Sequence, residues 1–508
     1  MRRLASDANP ALSATPALAP LIPLDRQDRI PLYRQIYGGL RTAIVERLLR
    51  PGQRLPSTRA LADELGVSRI SVLEAFEQLT AEGYCEGRVG RGTFIAELLP
   101  RELASRNRAS SAPEPPGPRP IAPGIVPADE PWLRGTGAFR MSHPAVEHFP
   151  MALWARLVAR HASNPKRREL FYGDALGLLA LRGAVADYLR TARAVRCEPE
   201  QIMITSGSQQ AIEIAARVLL EPGSAVWIEE PGHGEIREPL RRAGGRLVTV
   251  PVDQEGLDVA AGIAREPQAR AVYLTPSHQF PLGVTMTAAR RLQVLAWARR
   301  AGAWILEDDY DSEFRYTGRP LPCMQGLEAD SNDGSPSRVL YVGTFSKTLV
   351  SGLRLGYMVV PDALIEPFRA ARSTVDRHTP TIHQQVLADF IGEGHYFRHI
   401  RHVRSLCAER QAVLVDAVAS RLRGAMTIDA DPAGLHVLGR LAPGLDDVAA
   451  HAAAMRRGVR SAPLSGFYVG QPAPATSALV LGYGGFDEPQ TRRAVDELAI
   501  ALESIRSA

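Results

Sequence analysis

The chain has 508 residues, 23% of them charged, and a formal net charge of +5; this length exceeds what one hydrophobic core organises and predicts two or more domains. At 45% hydrophobic it has an ordinary globular composition, and it offers no run of about 20 apolar residues for a membrane span. Four cysteines, Cys85, Cys197, Cys323 and Cys407, lie far apart without a CxxC pair, which argues against a zinc ribbon or a disulfide framework. No metal site is expected, and the compartment expected is a reducing cytoplasm. Among 60 basic residues only Lys166 and Lys347 are lysines, so chemistry that needs a primary amine has two candidates.

Residues 1–28, broken by Pro10, Pro16, Pro20 and Pro23, read as a flexible leader rather than a signal peptide. Leu32, Ile36, Leu40, Ile44 and Leu48 then recur every four residues, which predicts a helix stopped by Pro51-Gly52. A second helix is predicted after Ser57 as N-cap, burying Leu61 and Leu65 and ending at Gly66. A third follows with Ser68 as N-cap and Val72, Phe76 and Leu79 buried. Two short helices joined by a tight Gly turn make a helix-turn-helix pattern. Tyr84 to Ile95 has glycines among β-favouring residues and reads as a hairpin wing with a basic tip.

Residues 29–97 resemble the winged helix-turn-helix of the GntR family. Ser68, Arg69 and Ser71 at the start of the third helix are candidate contacts to phosphates and a base edge, with Ser57, Arg59, Arg88 and Arg91 as further DNA contacts. Ile70 stands where relatives often carry Asn, and Glu74 faces the same side. Arginines only slightly outnumber acids in the first hundred residues, so affinity must come from placement and dimerisation. Residues 98–136, rich in proline from Pro113 to Pro120, predict a stiff linker.

From residue 137 onward, apolar runs at 202–205, 225–230, 246–252, 271–276, 303–309 and 339–344 alternate with helix-like stretches. This predicts an α/β domain with a mainly parallel central sheet and ligands at the carboxyl ends of its strands. Ser206-Gly207-Ser208 opens a helix after a strand, which suits a phosphate, although many such turns hold none. Asp308-Asp309-Tyr310 ends an apolar strand; a carboxylate there could hold a proton on a heterocyclic nitrogen, or simply cap the strand. Gly343-Thr344-Phe345-Ser346-Lys347 follows another strand, with Arg354 seven residues on, which fits a Schiff-base lysine beside a phosphate site. Lys166 sits in a basic stretch with no strand before it and reads as a surface residue.

Residues 137–508 resemble the fold-type I aminotransferases that bind pyridoxal 5'-phosphate, with a smaller subdomain at approximately 386–508. The whole arrangement resembles the MocR/GabR family of transcriptional regulators. That resemblance implies Lys347 as the lysine bonded to the cofactor, Asp308 as the partner of its pyridine nitrogen and Tyr310 as the phenol near its ring hydroxyl. It implies a phosphate cup of Gly207, Ser208, Thr344, Ser346 and Arg354, with Tyr172 reaching over from a partner subunit. It further implies a head-to-tail homodimer, a double-stranded DNA operator, and an amine or amino-acid-like effector that exchanges onto the cofactor. The alternative is a working aminotransferase with an accessory DNA-binding module, and residual half-reactions are left open.

Three departures from the family pattern stand out. His233 in Pro231-Gly232-His233 takes the place of an aromatic ring over the cofactor. Phe280 replaces an Asn that binds the ring hydroxyl. Gly466 occupies a place that often carries a carboxylate-binding arginine, for which Arg440 or Arg460 are the substitutes weighed against ordinary solvated surface roles.

Overall fold

The computed structural model describes residues 18–88, 90–97, 137–163, 165, 170–318, 322–330, 336–470 and 477–506. The linker expected over 98–136 and Lys166 lie outside the described residues. The chain divides into two compact units, Met1–Ile125 and Val126–Ala508.

In the first unit, α1 (Leu32–Val45) buries Ile36, Leu40, Ala43 and Ile44. The four-residue stripe fails at its expected last member. Arg47 adopts a φ of 60° and turns the chain, so Leu48 is 57% exposed while Leu49 enters the core. Helix α2 (Thr58–Leu65) is N-capped by Ser57, and Gly66 ends it at φ 63°, a left-handed conformation that favours glycine. Helix α3 (Arg69–Ala81), capped by Ser68, buries Val72, Ala75, Phe76 and Leu79. The wing is an antiparallel hairpin of β1 (Cys85–Arg88) and β2 (Gly92–Ile95), with Cys85 opposite Ile95.

The described part of the leader is not detached. Leu18 and Ile22 are buried in the same core as Leu40 and Phe76, on either side of a short 3-10 turn at Ala19–Leu21. The Ala19 amide donates to Glu64 Oε1 at 2.8 Å, and Arg26 donates to the Gly66 carbonyl at 2.7 Å. Pro20 and Pro23 restrict the backbone there, and Leu18 and Ile22 reach the core.

The second unit is built on an eight-stranded sheet. Its strands are β3 (Ile202–Thr205), β4 (Ala225–Glu230), β5 (Arg246–Asp253), β6 (Gly256–Leu257), β7 (Ala271–Leu274), β8 (Trp304–Asp309), β9 (Val339–Thr344) and β10 (Gly356–Val359). Their order is β3-β10-β9-β8-β7-β4-β5-β6. Strands β4, β5, β7, β8 and β9 pair in parallel, as their continuous apolar character requires of strands covered on both faces. Strand β10, absent from the sequence reading, inserts antiparallel between β3 and β9. Met203, Val342 and Met358 pack with the helix Ser208–Leu219 on one face, and Ile204, Tyr341 and Tyr357 pack with the helices Leu179–Arg193 and Thr381–Gly392 on the other.

Toward the C-terminus a four-stranded antiparallel sheet forms from β11 (Met426–Ile428), β12 (His436–Leu441), β13 (Ala462–Pro463) and β14 (Ala478–Gly482), in the order β11-β12-β14-β13. Leu414, Val437, Leu481 and Val495 share its core. Among the described residues no helix is long and apolar enough to cross a membrane.

Candidate functional site

In the first unit the serines at both helix starts are committed to the backbone. Ser57 Oγ accepts from the Ala60 amide and Ser68 Oγ from the Ser71 amide, each at 3.2 Å, satisfying amides that a helix start leaves orphaned. Arg69 donates to Thr58 Oγ1 at 3.3 Å, which ties α3 to α2. Arg59 and Arg91 are exposed. Arg88 lies 4.8 Å from the Phe94 ring centroid and 3.5 Å from Glu97, so the wing holds it in place. Ile70 is 67% exposed and Leu73 42% exposed on the outer face of α3.

In the second unit the carboxyl ends of β4, β7, β8 and β9 bring the candidate residues together. At the end of β8, consecutive side chains face opposite ways. Asp309 is bound by Arg193 at 2.7 Å, Ser312 at 2.8 Å and Tyr341, and belongs to the scaffold. Asp308 accepts only from Tyr273 Oη, at 2.8 Å through Oδ2, and its buried Oδ1, like that of Asp309, has no partner. Burial pushes the Asp308 carboxyl up to about 7, against the Tyr273 hydrogen bond. A buried acceptor without a donor is costly, and a protonated ring nitrogen would satisfy it.

The Lys347 amine makes no hydrogen bond or ion pair among the described residues. Burial lowers its pKa, favouring the neutral, nucleophilic amine. Glu235, Asp311 and Asp308 oppose that shift and Arg140 reinforces it. The charges of Glu235 and Arg140 thus act on the lysine, although the sequence reading singled out neither. Glu235 stands two residues after His233 in the same turn, a signal that was available. Arg140 comes from the start of the unit, and nothing local marks it.

The phosphate-cup candidates converge through β10. Gly356 pairs with Thr205 on one side and Thr344 on the other, so the turns after β3 and β9 flank the chain just beyond Arg354. Gly207 has a φ of 120° and N-caps the helix that starts at Ser208. A Cβ on Gly207 would lie 3.4 Å from the Arg354 guanidinium, which is exposed and has no partner among the described residues. Thr344 Oγ1 accepts from the Ser346 amide at 3.2 Å.

Tyr172 is not brought to this group within one chain. It is 79% exposed beside exposed Leu170 and Phe171, with Arg377 4.7 Å from its ring centroid. The His233 ring packs against Phe280 at 4.9 Å with its Nδ1 buried and unpartnered. Burial lowers its pKa, so the ring is neutral. The Tyr310 hydroxyl donates to the His278 carbonyl at 3.0 Å and lies 3.1 Å from His278 Nδ1.

Comparison with known proteins places both units. Residues 32–95 match the model of bacterial regulatory proteins of the gntR family, and residues 146–498 match aminotransferase class I and II. The probable rhizopine catabolism regulatory protein MocR of Rhizobium meliloti is 38% identical over 96% of this chain and 97% of its own length. The chain belongs to the MocR/GabR family of transcriptional regulators. The pyridoxine biosynthesis regulator PdxR of Corynebacterium glutamicum is 29% identical over 95% of the chain and 98% of its own length. The α-aminoadipate aminotransferase LysN of Thermus thermophilus, solved with N-(5'-phosphopyridoxyl)-L-leucine, is 28% identical, with a TM-score of 0.67 over 74% of this chain and 94% of that one.

This MocR/GabR-family regulator therefore couples a DNA-binding winged helix to an aminotransferase fold. Phe280 is 7% exposed and contacts Tyr310 and Phe467 edge-on, so it offers hydrocarbon where an amide would offer a donor. Arg440 is exposed on β12, and Arg460 Nη1 lies 3.8 Å from Met455 Sδ.

Proposed function

We propose that this regulator binds pyridoxal 5'-phosphate at Lys347 and senses an amine or amino-acid-like effector there. The observation that carries the reading is a set of uncommitted groups beyond the strand ends: the Lys347 amine, Asp308 Oδ1 and the Arg354 guanidinium over Gly207. They match the three chemically distinct ends of the cofactor, an aldehyde, a pyridine nitrogen and a phosphate. When bound, the cofactor supplies an electrophilic carbon that takes up one amine in place of another. Asp308 would keep the ring nitrogen protonated. Gly207, Ser208, Thr344, Ser346 and Arg354 would hold the phosphate, and His233 would cover one ring face with a neutral imidazole.

Relatives named for rhizopine catabolism and for pyridoxine biosynthesis differ in what they regulate, so family membership leaves the effector open. For the effector to act as a signal, it must bind two arrangements of the protein with different free energies. On the DNA side, Arg59, Arg69, Ser71, Arg88 and Arg91 are the contacts we propose, with Ser57 and Ser68 fixing the helix starts between them. A head-to-tail homodimer in the cytoplasm would let Tyr172 of one subunit reach the phosphate of its partner. The experiment is a steady-state assay with amino donors and keto-acid acceptors beside an operator-binding assay. Effector-dependent DNA binding without sustained turnover is expected. Turnover of about 1–10³ s⁻¹ would contradict a purely sensory role.

A further inference from the structure

Behind Tyr310 lies a chain of polar contacts that cofactor binding alone does not use. The His278 side chain is fully buried, with Nδ1 2.9 Å from Asp311 Oδ2 and Nε2 3.3 Å from Asp431 Oδ2. Asp311 immediately follows the strand end that carries Asp308. Asp431 comes from the loop between β11 and β12 of the smaller sheet, where its amide donates to Gln411 Oε1 and its Oδ1 accepts from the Ala433 amide. The two carboxylates outweigh burial and push the His278 imidazole up to about 10, so the ring is an imidazolium donating to an acid on each side. His436, 5.0 Å away ring to ring, is kept neutral by burial and by the His278 charge.

Two glycines make this contact tight. A Cβ on Gly434 would lie 2.1 Å from the His278 ring, and one on Gly283 would lie 2.2 Å from Asp431 Oδ2. The same loop is stitched to the segment after Asp311: the Gly434 amide donates to the Phe314 carbonyl at 3.0 Å and the Tyr316 amide to the Pro432 carbonyl at 2.8 Å. Residues Asp429 to Pro432 also wall a cavity of about 1060 Å³ opposite Asp253 and Arg265 at the sheet edge.

A phenol has one proton to donate. Tyr310 spends it on the His278 carbonyl, and Phe280 beside it has none to give. A cofactor ring hydroxyl that draws the Tyr310 proton withdraws it from the His278 carbonyl, and the phenol oxygen, 3.1 Å from Nδ1, competes with Asp311 for the one proton that Nδ1 carries. We propose that His278 is a positioning residue that relays occupancy of the cofactor site from Tyr310 to loop 429–434 through its ion pair with Asp431. This rests on the reading of Tyr310 as the phenol beside the cofactor ring hydroxyl.

Reciprocity of coupling makes the relay measurable from its far end. Cofactor-stripped full-length protein is titrated with pyridoxal 5'-phosphate, using wild type, Tyr310→Phe, Asp431→Asn and the double variant, with Lys347→Ala as reference. Asp431→Asn should weaken cofactor affinity by about tenfold, within the usual range of such couplings, and should cause no further loss when Tyr310 is already Phe. His278→Asn repeats the cycle and should show the same non-additivity. Equal losses in both backgrounds, no loss from Asp431→Asn, or insolubility of both Asp431→Asn and His278→Asn would overturn the relay. His278, Asp311 and His436 present ligand atoms within 4.8 Å of one another, so metal analysis of the same samples is included. A stoichiometric divalent ion would overturn it too, since the ring would then be a neutral ligand. Wild-type protein that binds no cofactor, or binding undiminished in Lys347→Ala, would overturn the cofactor reading together with the relay; additive losses with Lys347-dependent binding intact would overturn the relay alone.

Discussion

Asp308 shows how one buried carboxyl carries both a structural cost and a binding role. Its pKa is raised to about 7 by burial, as are those of Glu229, Glu307 and Glu313. A carboxyl whose folded value exceeds its unfolded one holds its proton more tightly in the folded chain. The stability it contributes is present below about pH 4 and is lost as pH rises through about 7. The melting temperature of cofactor-free protein should therefore fall between about pH 5 and pH 8, and Asp308→Asn should make that fall shallower. Scanning fluorimetry at fixed ionic strength checks this, and parallel profiles for the two proteins would contradict it. The sequence singles out Lys347 and Asp308 because each lies at or just beyond the end of an apolar strand, although an acid there could also simply cap the strand. Arg140 is not legible there, because its effect on Lys347 links segments far apart in the chain, and Glu235 is signalled only by its neighbour His233. The His278–Asp431 contact, 153 residues apart in sequence, has no local signature at all.

At the level of elements, strands β3, β4 and β9 have the limits their apolar runs predicted, since a doubly covered strand must be apolar throughout. Strand β10 escaped because Gly-Tyr-Met-Val is short and follows directly on the Arg354 turn, with only a 3-10 turn at Ser351–Leu353 and no α-helix between it and β9. The short antiparallel strands of the smaller sheet likewise left no long apolar run. Helices α2 and α3 were legible through their serine caps and the Gly66 stop. Leu18, buried within the expected leader, gives a sharp prediction. Leu18→Ala should destabilise the winged-helix unit by about 2–5 kcal/mol, the usual effect of truncating a buried leucine, measured by urea unfolding followed in the N-terminal unit. A change within about 0.5 kcal/mol, as for an exposed residue, would show that Leu18 is not in the core. Ser68→Ala should cost about 1 kcal/mol through loss of the α3 cap, by the same measurement.

For the whole molecule, the exposed trio Leu170, Phe171 and Tyr172 is an apolar surface that a monomer rarely leaves open to water. If the proposed dimer places Tyr172 at its partner's phosphate, Phe171→Asp should shift the protein toward monomer in sedimentation velocity and weaken cofactor retention. An unchanged dimer would place the interface elsewhere. The account as a whole depends on one residue, in a chain whose only other lysine is Lys166. The most direct measurement is the visible absorption of purified full-length protein reconstituted with pyridoxal 5'-phosphate, wild type beside Lys347→Ala. The wild type should show the band of lysine-bound cofactor, shifting when a recognised amine is added, and the variant should lack it. A colourless wild type, or the same band in Lys347→Ala, would contradict the account.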